Sequence, residues 1–110
     1  MSSPDLSWRE RGYGAVITAF SKDRRVTIGE GKGFGSGGLK VDGKLFALMS
    51  SRGEFVAKLP KLRVSELVAK GIGEPFDPGH GRLMKEWIAM RGGSDDWVSL
   101  AREARRFVGG

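Results

Sequence analysis

The sequence predicts an α+β fold. It reads as a single two-layer domain with an antiparallel sheet of about four to five strands flanked by helices, in the order α-β-β-β-α-β-α. Three observations carry this. Asp42-Gly43 sits between two apolar runs, "GLKV" and "KLFALMS". Short strand-like segments follow one another with turn residues between them. Apolar positions recur at helical spacing near both ends of the chain.

The first helix is expected over about Pro4 to Lys22. Ser3 is placed to cap it, with Pro4 at the first helical position. Tyr13, Val16, Ile17 and Phe20 recur at three- and four-residue intervals and give one apolar stripe. Asp23, Arg24 and Arg25 end it in a polar turn, and Val26 to Ile28 reads as a short strand.

Asp-Gly suits a two-residue type I′ hairpin turn, because both central residues need positive φ. Such a turn pairs Val41 with Lys44 and Leu39 with Phe46. Leu39, Val41, Phe46 and Leu48 would then share one sheet face, and Leu45, Ala47 and Met49 the other. Neither face of the second strand is polar, which predicts a central strand covered on both sides. "EFVAKLP" is the next strand, with Phe55, Ala57 and Leu59 opposing Val56 and Lys58. Pro60 ends it and opens a helix over about Lys61 to Lys70, which buries Val64, Leu67 and Val68; Gly71 supplies its left-handed stop.

"GIGEPFDPGHGR" carries loop signals throughout. "LMKEWIAM" reads as a strand on which Lys85 and Trp87 share a face. The last helix is expected to start with Ser94 as its cap and Asp95 and Asp96 in the first turn. Arg105 and Arg106 then fall in its last turn, and Trp97, Leu100, Ala101, Ala104, Phe107 and Val108 make its buried face.

Composition bounds the function. The 110 residues fit one domain, spanning 1–110, and the absence of cysteine removes disulfides, thiolate metal sites and a cysteine nucleophile. No apolar run approaches the ~20 residues of a membrane span, and the first residues lack a signal-peptide pattern, so the expected location is the cytoplasm. The formal charge of +6 permits a polyanionic partner, although thirteen acids are interspersed among nineteen Lys and Arg. The densest basic stretch holds Arg52, Lys58, Lys61 and Arg63, the expected nucleic-acid contacts. A second holds Arg102, Arg105 and Arg106.

The glycine-rich "GEGKGFGSGG" contains G-x-G-x-x-G at Gly33, Gly35 and Gly38. A dinucleotide fingerprint needs a helix N-terminus just after the third glycine, to hold pyrophosphate on its dipole. A hairpin follows instead, so the run is read as the lead into that hairpin, with a binding lip at Lys32 as the alternative. His80 is the sole histidine and cannot build a histidine metal site alone. No nucleophile elbow is present. These readings predict no enzyme, no cofactor and no metal. A pocket for a small anion or a contact for a protein partner is the alternative to nucleic acid, with Lys32, Phe34, His80, Arg82, Lys85 and Trp87 as its expected lining. The oligomeric state is left open.

Several short signatures occur in one order: Phe34-Gly35 before a strand, Gly43-Lys44 with Phe46-Ala47, Lys58-Leu59-Pro60, Glu74-Pro75-Phe76-Asp77, Met84-Lys85-Glu86-Trp87, and a closing helix with Trp97 and Phe107. In this order they resemble the small bacterial MmcQ/YjbR-like proteins and the related TfoX N-terminal domain, over about Gly33 to Val108. The resemblance implies a compact α+β domain with an antiparallel sheet flanked by helices. It also implies a DNA-binding label that many such proteins carry. It brings no catalytic residues.

Overall fold

In a computed structural model of the chain, Asp42 and Gly43 take φ of 52° and 82°. Both are positive, as a type I′ turn requires. The turn closes the central hairpin, and the structure describes residues 4–29, 37–50, 52–77, 84–90 and 93–110, with the backbone alone for 4–10 and 84. The elements are α1 (Pro4–Ala19), β1 (Val26–Ile28), β2 (Leu39–Val41), β3 (Lys44–Met49), β4 (Phe55–Lys58), α2 (Lys61–Ala69), β5 (Gly73–Phe76), β6 (Met84–Met90) and α3 (Trp97–Gly109).

The sheet has six strands in the order β1-β2-β3-β4-β6-β5, and every neighbouring pair is antiparallel. The fold is therefore the α+β class expected, with one more strand. The addition is β5, which falls inside the stretch read as a loop. Pro75 cannot donate to a ladder, but β5 lies at the edge of the sheet and needs to pair on one side only. Gly73 is fitted to that pairing: a Cβ there would stand 2.7 Å from Ile88 Cδ1.

Helices cover one face. Residues from all three helices join the strands in the main core, with Val16, Leu67, Trp97 and Leu100 meeting Val41, Phe46, Phe55, Ala57 and Ile88. A second, smaller cluster on the opposite face is built from strand residues: Leu48, Val56, Phe76 and Ala89, with Leu45 and Trp87 packed against it. Central β3 is buried on both faces as predicted, with Phe46 and Leu48 both at most 1% exposed.

The register departs from expectation at one step of the hairpin. Val41 pairs with Lys44 and Lys40 with Leu45, but Leu39 then pairs with Ala47. Phe46 is the extra residue of a β-bulge, so Phe46 and Ala47 both reach the helix side and Leu48 turns away. Strict alternation had placed Leu48 with Phe46 and Ala47 opposite them.

Rings tie the layers together. Phe55 on β4 stacks on Trp97 of α3, with centroids 5.0 Å apart and planes 17° from parallel, and Tyr13 of α1 lies 6.3 Å from Phe55 on a tilted plane. Phe20 meets Phe46 edge-on at 5.4 Å. Helix α3 begins later than predicted: Trp97 N–H bonds Ser94 O at 3.2 Å in a turn, and Asp96 is the cap residue. Asp96 sits at φ −99°, ψ 0°, outside the extended conformation from which a capping side chain reaches the first amides, and its side chain makes no such bond. Gly109 is the last helical residue and Gly110, at φ 83°, follows it. Among the described residues, no helix is long and apolar enough to cross a membrane.

Candidate functional site

The four basic residues singled out near the middle of the chain do not converge on one surface. Arg52, in the turn before β4, pairs with Glu54 at 3.3 Å and donates to the Asp77 carbonyl. Lys58 lies at the other end of β4, on the second-cluster face, with Nζ 5.8 Å from the Trp87 ring centroid. Lys61 opens α2 and is exposed. Arg63 turns toward α3, where Nε donates to Glu103 Oε1 at 2.9 Å and Nη2 to Oε2 at 3.1 Å. Glu66 adds a contact at 3.7 Å, and the carboxylates push the Arg63 pKa further up, the Glu103 hydrogen bond most of all. Two of the four charges are thus already matched by acids.

Of the six residues expected to line a pocket, Lys32, Phe34, His80 and Arg82 lie outside the described residues. The glycine-rich stretch can be followed only at its ends, where Gly29 N–H bonds Gly38 O at 2.6 Å and Gly37 N–H bonds Gly29 O at 2.9 Å. These bonds continue the β1–β2 ladder past Ile28 and Leu39. Lys85 and Trp87 are described and do not share a face. Pro75 pairs with Ile88 and Phe76 with Met84, so residues 85–87 bulge out of the β5–β6 ladder. The alternation fails there. Trp87 packs on the second cluster beneath Lys58, while Lys85 reaches the helix side beside α2. The side chain beside the Trp87 ring is thus the cross-strand Lys58, its register partner, and not Lys85.

A different basic site forms where the end of α1 meets α3. Ala19, Phe20, Lys22, Asp23, Arg102, Arg105 and Arg106 line a groove of about 420 Å³. Among these described residues, four cationic side chains face one carboxylate. That carboxylate is committed: Arg105 Nε donates to Asp23 Oδ2 at 2.8 Å, and the bond holds the Asp23 pKa below the usual carboxylate range. Lys22, Arg102 and Arg106 are exposed and form no ion pair with the described residues. Arg102 and Arg106 are one helical turn apart on the solvent side of α3, opposite Leu100, Ala101 and Ala104.

A second arginine clasp steadies the same end of α3. Arg25 pairs with Asp42 through both carboxylate oxygens, and its Nη2 donates to Gly109 O at 2.7 Å. The paired Arg25 lowers the Asp42 pKa and is itself raised by Asp42. Gly109 fits tightly under this clasp, since a Cβ there would stand 2.7 Å from Val41 Cγ2. The run Arg102, Arg105 and Arg106 is visible in the sequence, but Lys22 and Asp23 join it from about eighty residues away, and only the packing of α1 on α3 brings them there.

Comparison with protein-family models, with curated proteins and with solved structures finds no match to this chain.

Proposed function

We propose that this chain is a non-catalytic binding module that holds nucleic-acid phosphates in the groove between the end of α1 and α3. The observation that carries the reading is the charge imbalance of that groove. Lys22, Arg102 and Arg106 are exposed and pair with no acid among the described residues, while Asp23, the one carboxylate among the described residues of the lining, is taken by Arg105. Cations grouped in one groove attract a polyanion more strongly than the same charges scattered among acids.

The recognition expected of such a site is weakly sequence-selective. Arginine and lysine contacts to phosphate fix position and carry no base information. The motif resemblance to MmcQ/YjbR-like proteins, many labelled DNA-binding, points the same way and stays a resemblance. The interface proposed here differs from the Arg52 to Arg63 stretch, because Arg52 and Arg63 are paired with Glu54 and Glu103.

The test is the salt dependence of binding to a labelled DNA duplex, followed by fluorescence anisotropy. Neutralising three phosphates gives a slope of log K against log salt of about −2.7. A flat salt response, or no binding at micromolar protein in low salt, contradicts the proposal.

A further inference from the structure

On the far side of the helix layer, α2 leans against the β5–β6 edge and leaves a groove of about 440 Å³, within the usual size range of small-molecule sites. Val64, Val68, Ala69 and Pro75 make its floor, and Lys61, Ser65 and Lys85 stand around it. Among the described residues that line it there is no carboxylate. Neither lysine forms an ion pair with a described residue, and both are exposed.

We infer that this groove binds a small organic monocarboxylate with an apolar body, its head held between Lys61 and Lys85 and its body laid on Val64, Val68 and Pro75. The two lysines come from different elements. Lys61 is the first residue of α2, and Lys85 is carried to the helix side by the bulge in β6. Bulges of this kind re-aim a side chain, and this one brings Lys85 into the lining beside Val64, Val68 and Pro75. The charge selects an anion. Lysine presents a compact point charge, which suits a single carboxylate and does not demand the planar fork that arginine offers. The floor selects a body. A free inorganic phosphate would leave Val68 and Pro75 uncovered, and Ser65 adds a hydroxyl to the lining. Burying the ligand's apolar surface supplies affinity at about 25 cal/mol per Å² before the costs of association, so a neutral molecule of the same shape binds more weakly only by the loss of its charge.

The experiment is a titration of the full chain with octanoate, followed by the methyl carbon–proton NMR signals of Val64 and Val68. 1-Octanol and inorganic phosphate serve as parallel probes. Saturable methyl shifts with octanoate at a Kd of about 1 mM or tighter are expected. Octanol, with the same body and no charge, should bind about tenfold more weakly, and phosphate should leave the methyl signals in place. The variants K61A and K85A, at exposed positions that do not endanger folding, should each weaken octanoate by several-fold and leave octanol unchanged. Octanol binding as tightly as octanoate overturns the inference. So do octanoate shifts that avoid Val64 and Val68, affinity untouched in both lysine variants, or no response at all.

Discussion

Arg105 and Asp23 are joined by a 2.8 Å hydrogen-bonded ion pair across 82 residues of chain. The contact ties the polar turn after α1 to the middle of α3's outer flank. It also engages the one acid among the described residues of the basic groove, so that Lys22, Arg102 and Arg106 are left without an ion pair to a described residue.

This pair and the Arg25–Asp42 clasp make stability depend on acid in a defined sense. Both aspartates have folded-state pKa values lowered by their arginine hydrogen bonds. A lowered carboxylate contributes stability that is fully present above its unfolded value, about 3.9, and is lost as pH falls through the folded value. Urea midpoints measured between neutral pH and about pH 3 should fall steeply for the wild type and less steeply for the double variant D23N/D42N. Equal acid losses in the two proteins would contradict this account of the pairs.

Two glycines of α1 should respond in opposite directions to the same substitution. A Cβ at Gly12 would lie 2.5 Å from Ser94 Cβ and 2.8 Å from the Trp97 ring, whereas one at Gly14 meets nothing within 4 Å. Gly14→Ala should stabilise by roughly 0.5–1 kcal/mol through helix propensity alone. Gly12→Ala gains the same propensity but forces α1 and α3 apart, with a net loss of about 1–2 kcal/mol. Thermal melts of the two variants check both signs.

Tyr13 is the chain's one tyrosine, so its phenol can be titrated without interference. Burial pushes its pKa up to about 12, and its hydroxyl donates to Gly37 O at 2.7 Å. Ultraviolet titration of the native protein should therefore show a midpoint about two units above that of free tyrosine. The stability this implies is present at neutral pH and is lost as pH rises through the folded value. Tyr13→Phe should cost about 0.5–1.5 kcal/mol by leaving the carbonyl without its donor. A midpoint near 10 in the folded protein would show the hydroxyl to be solvent-exposed.

Much of the fold is legible in the residues. Asp42-Gly43 specifies the hairpin, the Tyr13-Val16-Ile17-Phe20 stripe specifies the buried side of α1, and Gly71, at φ 75°, stops α2 as expected. The misses share one physical cause, which is that tertiary pairing overrode a local rule. Pro75 is a strand breaker in isolation and is tolerated in β5 because that strand is an edge. Phe46 and the 85–87 segment break strict alternation through bulges, which sequence periodicity does not record. Ser94 has the composition of a helix cap, but the chain turns once more before α3 begins.

The candidate site was less legible than the fold. Density of basic residues along the chain pointed to Arg52 to Arg63, where Glu54 and Glu103 answer two of the charges. What matters for a polyanion is unpaired charge in space. Arg63 and Glu103 are forty residues apart, and Lys22 reaches Arg102 and Arg106 only through the packing of α1 on α3.

The central claim is that phosphate binding resides in the α1–α3 groove and not in net charge as such. Its most direct test compares two single charge reversals of equal size, R106E in the groove and K70E at the end of α2, by anisotropy with one DNA duplex at one low salt concentration. R106E should weaken binding by about tenfold or more, while K70E, which is not part of the groove's lining, should change it by less than about threefold. Equal losses in the two variants, or a larger loss in K70E, would contradict it.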